Sequence, residues 1–262
     1  FQGYNWNIIE IDGHDYDQID KAIRKAMREK SRPTIIICKT HIAQGSPNKH
    51  DTAGAHGEPL GPDEVKASKK NLGLPEDKDF YVPDKVKELF DNRLSKIKRV
   101  SSKWEKNLAK YFQSNPDKAD LWKKHFEDVI PENINDVLPK FDPAKPVASR
   151  AAGGTVLQKI AAALPQLVGG SADLAPSNKS RIDNVPDIKS SSFAGRNFHF
   201  GIREHGMGAI LNGMALHGGF HVYGATFFVF SDYCRPALRL AAIMNLPVIY
   251  IFTHDSFYVG ED

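Results

Sequence analysis

Apolar and polar residues alternate along the chain in patterns that predict two α/β segments. In the first segment, the stretches NWNIIEID (5–12) and TIIICKT (34–40) each predict a strand, and apolar residues recur at helical spacing across 19–27 between them. Strand, helix and strand in about 35 residues are typical of a βαβ unit, so we expect the two strands to be parallel.

The second segment alternates helix and strand more often. Its predicted helices are 154–167, 203–217 and 229–244. Its predicted strands are 167–173, 198–202, 221–227 and 247–254. This alternation predicts a parallel sheet with helices on both faces, and in such sheets ligands bind outside the carboxyl ends of the strands.

Three stretches separate these segments. The loop 41–61 is rich in Gly, Pro, Asn and His, and its length of about 20 residues is typical of a functional or a disordered loop. Its composition favours function. Apolar residues at helical spacing predict a long amphipathic helix across 84–112. The Pro-rich stretch 113–147 lacks periodicity and is predicted to be a linker.

Composition excludes several kinds of partner. The chain has 262 residues, of which 41% are hydrophobic, and a net charge of +3 without a basic patch, so we expect no nucleic acid partner. No apolar run reaches the roughly 20 residues that span a membrane, so no membrane partner is expected. The two cysteines, Cys38 and Cys234, are too few for a disulfide framework, which favours a reducing, cytoplasmic location. The chain begins without Met and stops soon after a strand, so we expect it to be a piece of a longer protein.

Polar and aromatic side chains follow the predicted strands at the points where the strands end. Because the carboxyl ends of parallel strands share one edge of a sheet, we expect these side chains to line a cleft. In chain order they are His41, His56, Asp173, Ser177, Glu204, Phe227, Phe230, Tyr233, His254, Asp255 and Asp262.

Glu204 begins a predicted helix that is crowded with small residues. An acidic residue in a first helical turn is favoured by the helix dipole by about 0.3–1 kcal/mol, and most such residues have no other role. The glycines that follow Glu204 weaken the helix unless another backbone packs closely against it, as at a subunit interface. A carboxylate there would be partly desolvated, which suits a group that shares a proton with a ligand nitrogen.

The other candidates have structural alternatives. Phe227, Phe230 and Tyr233 are spaced to lie on one side of a turn, where they could be core residues or could hold a flat heteroaromatic ring. His56, between glycines, is either a solvated loop histidine or a proton donor and acceptor beside a ligand. Seven histidines show no convincing metal-ligand spacing and are interpreted as structural or solvated: His14, His41, His50, His125, His199, His217 and His221.

Five motifs in one order carry a resemblance to the transketolase family. They are GSPNK…AHGEPLG (45–61), GGSADLAPSN (169–178), GIREHGMGAILNGMALHGGF (201–220), TFFVFSDY (226–233) and THDSFYVGED (253–262). The resemblance implies a partial, helix-flanked parallel-sheet fold of the thiamine diphosphate enzymes, with parts of two α/β domains. Residues 1–113 would be the C-terminal part of the diphosphate-binding domain with inter-domain helices. Residues 114–262 would be a linker and the N-terminal part of the pyrimidine-binding domain.

The resemblance also implies roles for the candidate residues. Glu204 matches the glutamate that hydrogen-bonds the aminopyrimidine of thiamine diphosphate, and His56 matches a histidine that contacts both cofactor and substrate. The residues that match further cofactor contacts are Phe227, Phe230, Tyr233 and Asp173. The residues that match substrate contacts are Arg150, Ser177, His254 and Asp262.

The implied activity is the reversible transfer of a two-carbon ketol unit from a ketose phosphate to an aldose phosphate in the pentose phosphate pathway. The implied assembly is a homodimer with its active site at the subunit interface. Mg²⁺ or Ca²⁺ is expected as a second cofactor, with its ligands in an upstream segment that the chain lacks, so no residue is assigned to it here and the chain alone is expected to be inactive. Two alternatives stay open: a related enzyme such as dihydroxyacetone synthase, and a non-catalytic piece that only folds or dimerises.

Overall fold

The chain forms two compact units, Phe1–Arg99 and Val100–Asp262. The computed structural model describes residues 1–127 and 130–256. Each unit contains a parallel sheet flanked by helices, so the α/β class predicted from the sequence is confirmed. The predicted domain division between 113 and 114 stays a prediction.

The first unit begins with a parallel βαβ arrangement. Strands β1 (Asn7–Asp12) and β2 (Thr34–Lys39) pair in parallel over their whole length, and helix α1 (Tyr16–Arg28) connects them. The helix starts where the Asp15 carboxylate accepts hydrogen bonds from two backbone N–H groups of the first turn. Of the apolar residues on α1, Ala22 is buried whereas Met27 is 69% exposed, so only part of the predicted apolar stripe faces the sheet.

The loop predicted to be functional is tied to the helix that follows it. Helix α2 (Pro62–Asn71) has Glu64 in its first turn. The Glu64 carboxylate accepts hydrogen bonds from the Ser46 hydroxyl and from the backbone and side-chain amides of Asn48, the latter two at 2.9 and 2.8 Å. These hydrogen bonds, that of Ser46 first, lower the pKa of Glu64 to about 2. The segment around residues 46–48 is therefore anchored to α2.

Two helices follow, of which the sequence predicted only the first. Helix α3 (Asp84–Ser114) is 31 residues long, as its apolar periodicity indicates. Helix α4 (Pro116–Phe126) lies within the stretch predicted to be a linker, so that prediction is wrong there. Its apolar pattern is too short to be recognised. Two local features nevertheless favour a helix: Pro116 lies in the first turn, and basic residues lie in the last turn. None of the described helices is long and apolar enough to cross a membrane.

The second unit contains a four-stranded parallel sheet in the order β4, β3, β5, β6. The strands are β3 (Leu167–Ser171), β4 (Asn197–His199), β5 (His221–Phe227) and β6 (Val248–Thr253). The helices are α5 (Ser149–Ala163), the short α6 (Ala175–Asn178), α7 (Glu204–His217) and α8 (Ser231–Ile243). The four strands and the three longer helices were predicted from the sequence, whereas α6 was not.

The core of this unit lies on both faces of the sheet. Successive strand residues point to opposite faces, so Leu167 and Tyr223 pack with α5, and the adjacent Val168 and Val222 pack with α7. The strands are accordingly apolar on both sides, as in parallel sheets covered by helices on each face. This double packing fixes the positions of the strand ends.

Candidate active site

Three strands of the second unit end at one edge of the sheet. Ser171, the last residue of β3, pairs with Ala225, and Phe227, the last residue of β5, pairs with Thr253, the last residue of β6. The side chains that directly follow these strands therefore share this edge, as expected from the parallel topology.

Glu204 is the first residue of α7 and is only 7% exposed. Among the described residues, its carboxylate has no hydrogen-bond or ion-pair partner. The carboxylate lies close enough to Cys234 of α8 to affect the pKa of its thiol. Burial raises that pKa, and the negative charge of Glu204 raises it further. The Glu204 oxygens are not among the fully buried polar atoms without a partner in the described residues, so the mostly buried side chain keeps its carboxylate accessible to a ligand that can hydrogen-bond it.

The close packing of α7 on α8 buries Glu204. A Cβ atom at Gly208 would lie 2.7 Å from the Cβ of Ala237 in α8, so the glycine lets the two helices approach. Asn212 adds a polar link, since its side-chain amide donates to the Ala237 carbonyl at 2.9 Å and its carbonyl accepts from the Tyr250 hydroxyl at 3.1 Å. One of the glycines noted in the sequence thus serves packing within the chain.

The three predicted aromatic residues form a continuous row. The rings of Phe227 and Phe230 are stacked with centroids 5.9 Å apart, and those of Phe230 and Tyr233 are 6.1 Å apart. The ring of His254 lies 3.8 Å from that of Phe227. Phe227 is buried and Tyr233 is 66% exposed. The row therefore begins in the core and ends at the surface. Phe227 is a core residue, and the role of the trio in holding a flat ring stays a prediction.

A chain of hydrogen bonds connects the ends of β3 and β6. Arg150 Nη1 lies 2.6 Å from His254 Nε2, and Thr253 Oγ1 lies 2.9 Å from His254 Nδ1. The Asn178 amide donates to Thr253 Oγ1 at 2.5 Å and accepts from Ser171 Oγ at 2.8 Å. Because a guanidinium can only donate, Nε2 of His254 accepts and its proton is on Nδ1. These hydrogen bonds thus select one tautomer of His254.

This hydrogen-bonded chain borders a cavity of about 320 Å³. Arg150, Asn178 and Thr253 contribute polar atoms to its wall, and most other lining residues are apolar residues of α5 and β6. The polar groups of two predicted substrate contacts, Arg150 and His254, are therefore brought together from positions 104 residues apart in the chain.

Asp173 and Ser177 are both exposed at the same edge of the sheet. Asp173 has φ of 65°, a left-handed backbone conformation that aspartate tolerates better than most residues. The turn is stabilised by the Ser171 hydroxyl, which accepts a hydrogen bond from the Leu174 backbone at 3.0 Å. Both side chains are accessible to a ligand.

Two predicted site residues are not part of the described second unit. His56 belongs to the first unit, where it is exposed directly after a short 3-10 turn, Ala53–Ala55. The following Gly57 has φ of 76°, which favours glycine at that position. Asp262 lies outside the described residues.

The sequence did not point to Ser171, Asn178 or Thr253 as site residues. Each is more than 90% buried and polar, a combination that requires hydrogen-bond partners. In the sequence these residues look like ordinary strand-end and turn residues. The only indication of a role was that Asn178 is adjacent to Ser177 and Thr253 is adjacent to His254.

Comparison with known proteins agrees with this geometry. The profile of the transketolase thiamine diphosphate binding domain matches residues 1–131, and that of the transketolase pyrimidine binding domain matches residues 145–262. The chain is 49% identical to a transketolase of Staphylococcus aureus (strain MRSA252) and 47% identical to one of Geobacillus stearothermophilus, each alignment covering 100% of this chain and 40% of the relative.

Solved structures give the same result. Transketolase from Leishmania mexicana superposes with a TM-score of 0.88 at 37% sequence identity, covering 100% of this chain and 40% of that one. The chain thus spans about 40% of the length of the relatives that it matches. With both domain profiles matching in order, the chain belongs to the transketolase family.

Proposed function

We propose that these residues are part of a transketolase that transfers a two-carbon ketol unit reversibly between a ketose phosphate and an aldose phosphate. The observation that carries this proposal is Glu204, a residue only 7% exposed whose carboxylate has no hydrogen-bond partner within residues 1–127 and 130–256 and which lies close to the helix that carries Tyr233.

The residues present fit thiamine diphosphate. A nearly buried carboxylate without a partner in the described chain favours a ligand that brings a ring nitrogen with a shareable proton. The aromatic row ends in an exposed ring, against which a flat heterocycle can stack. When bound, thiamine diphosphate supplies the nucleophilic carbon and the electron sink for carbon–carbon bond cleavage.

In this proposal Glu204 holds the proton that it shares with the pyrimidine ring, and its low exposure keeps water from competing for that hydrogen bond. Phe227, Phe230 and Tyr233 orient the ring, and Asp173 contributes a further cofactor contact. His56, exposed on its loop, is free to donate and accept protons near the reacting carbons.

The proposed substrate contacts are Arg150, Ser177 and His254, with His56 and Asp262 as further contacts. Arg150 offers a planar set of N–H donors that matches phosphate oxygens. Its contact with His254 Nε2 occupies one of these donors and leaves others for a ligand. Both ring nitrogens of His254 have protein partners, Nε2 with Arg150 and Nδ1 with Thr253, so a substrate that hydrogen-bonds this ring has to displace one of them.

The proposed assembly is a homodimer with the active site at the subunit interface. Helix α7 supports this arrangement, because its outer side carries Ile210, which is 49% exposed, beside Gly213, where a Cβ atom would meet nothing within 4 Å. Mg²⁺ or Ca²⁺ as the second cofactor and a cytoplasmic location complete the proposal. No residue of this chain is assigned to that ion.

The role of Glu204 is tested in the full-length protein by Glu204→Gln and Glu204→Ala. We expect both to lower kcat by about 10²- to 10⁴-fold, the range typical of a lost acid–base group, while the thermal unfolding midpoint stays close to that of the wild type. The measurement is turnover with a ketose phosphate donor and an aldose phosphate acceptor.

The matched control is Glu88→Gln, which removes an exposed carboxylate of α3 and should leave kcat unchanged. Turnover near the wild-type rate in either Glu204 variant would contradict the proposal.

A further inference from the structure

The loop after β2 folds back so that His41 meets Asp51, 10 positions further along the chain, and the adjacent His50. His41 Nδ1 lies 2.8 Å from Asp51 Oδ2, and His50 Nε2 lies 3.6 Å from the same oxygen. One ligand atom from each of the three residues lies within 4.8 Å of the others. In the sequence the spacing of these residues gives no indication of a metal site, because the loop must fold back to bring His41 to the others.

Two of the three spacings are close to those of a tetrahedral zinc site, and the third, between the two histidine nitrogens, is no more than 4.8 Å. Zinc bonds of about 2.0–2.2 Å place neighbouring ligand atoms roughly 3.3–3.6 Å apart. The contact of His50 with Asp51 already has this length, and that of His41 with Asp51 has to open by about half an ångström. All three side chains are exposed, with relative exposures of 49%, 42% and 53% for His41, His50 and Asp51, so such a movement meets little resistance and the fourth position is open to water.

The backbone around the three residues is held in place by hydrogen bonds. The N–H of Asp51 donates to the Ile42 carbonyl at 3.1 Å, which closes the loop between the two histidines. The N–H of His41 donates to His14 Nε2 at 2.8 Å, and the His14 ring stacks on that of His41 with centroids 5.8 Å apart. The His14 ring therefore supports His41, and the backbone holds the three ligand residues near one another before an ion binds.

We propose that His41, His50 and Asp51 bind a divalent transition metal ion, with Zn²⁺ as the best match. Two imidazoles and one carboxylate favour Zn²⁺ and its neighbours over Mg²⁺ and Ca²⁺, which prefer oxygen ligands. The site contains none of the residues proposed to contact the cofactor or the sugar phosphates. It lies on the loop that continues to His56, so a bound ion would restrain the segment that precedes that residue.

The test uses the tag-free 262-residue chain, stripped of metal with a chelator and dialysed, without thiamine diphosphate. Zn²⁺ is titrated by calorimetry, and Co²⁺ is used as a probe because its visible absorption reports tetrahedral coordination. We expect saturable binding of one ion per chain, a rise of the thermal unfolding midpoint with Zn²⁺, and no competition by excess Mg²⁺.

His41→Gln and His50→Asn should each weaken Zn²⁺ binding by more than about tenfold, because even substitutions outside the ligand set weaken metal sites by about 10- to 100-fold. The control His217→Asn removes an exposed histidine of α7 and should bind as the wild type. Because the ligand side chains are exposed, the variants are expected to unfold at the wild-type temperature in chelator. Wild-type affinity in both ligand variants, or binding that does not saturate at one ion, would overturn the proposal.

Discussion

At the scale of single residues, Asn178 shows how one buried amide can hold several polar side chains in place. Its side chain donates to Thr253 and accepts from Ser171, which joins the ends of β6 and β3. Through Thr253 the same amide reaches His254 and Arg150. The orientation of two proposed substrate contacts therefore depends on a residue that is 2% exposed.

Replacing Asn178 by alanine removes one partner from each of two buried hydroxyls. Each hydroxyl keeps another partner, the Ala225 carbonyl for Ser171 and the His254 ring for Thr253, so two hydrogen bonds are lost without leaving an unsatisfied group. At a net value of about 0.5–1.5 kcal/mol for each hydrogen bond, we expect Asn178→Ala to lower the free energy of unfolding by about 1–3 kcal/mol in urea denaturation. Ser177→Ala, at the exposed neighbouring position, serves as control and should change it by less than about 0.5 kcal/mol. Equal stability of the two variants would show that the hydrogen-bonded chain contributes nothing to the fold.

The sequence singles out residues whose chemistry is unusual at their position. Glu204 stood out because a carboxylate follows a strand and precedes a glycine-rich helix, and its side chain is mostly buried in the structure, while its proposed role stays a prediction. Asn178 did not stand out, because an asparagine in a turn is common. Its importance arises only from the two hydroxyls that the fold brings to it.

At the scale of elements, Gly169 and Gly170 let β3 lie close to both of its neighbours. A Cβ atom at Gly170 would lie 1.9 Å from the Phe198 carbonyl oxygen in β4, and one at Gly169 would lie 2.2 Å from the Tyr223 carbonyl oxygen in β5. Because these contacts are with backbone atoms, they cannot be relieved by rotating a side chain.

We expect Gly170→Ala to destabilise the protein by about 1–3 kcal/mol, because it forces β3 and β4 apart. Gly153→Ala is the matched control in α5, where a Cβ atom would meet nothing within 4 Å. That substitution should stabilise the protein by about 0.4–1 kcal/mol, because it removes backbone freedom from the unfolded chain. Urea denaturation measures both, and a stabilising Gly170→Ala would contradict the close packing of β3.

The elements were predicted well where one pattern dominates. The strand predicted at 221–227 coincides with β5, since an apolar run between polar turns leaves few alternatives. Helix α4 was missed because its stabilising contacts are tertiary: His125 Nδ1 lies 2.7 Å from the Gly219 carbonyl oxygen, and its ring packs on Phe220. Neither contact can be recognised from the local sequence.

At the scale of the whole molecule, α7 presents two different sides. Gly208 on the inner side is needed for contact with α8, whereas Gly213 on the outer side has open space beside it. The outer side also exposes Ile210 and Leu216, by 49% and 61%. The sequence predicted close backbone packing for the glycines of this helix without distinguishing which lie inside the chain and which are free for a second subunit.

Gly213→Phe tests the proposed dimer. Within the chain the new side chain has room, so we expect the fold to persist, while a second copy packed on α7 would be displaced. In the full-length protein the dimer dissociation constant should rise at least about tenfold, equivalent to about 1.4 kcal/mol, as measured by analytical ultracentrifugation.

The control is Lys159→Phe, which adds the same ring to an exposed position of α5 and should leave the dimer intact. Unchanged dimerisation of Gly213→Phe would place the interface elsewhere.

The sequence by itself determined the α/β class, most elements and the family, because these depend on periodicity and on local motifs. The tertiary structure decided which polar side chains contact one another. These are the hydrogen-bonded series that runs from Arg150 to Ser171, and the group of His41, His50 and Asp51. Contacts between residues distant in sequence arise from strand register and loop closure, and neither property is encoded in the spacing of residues along the chain.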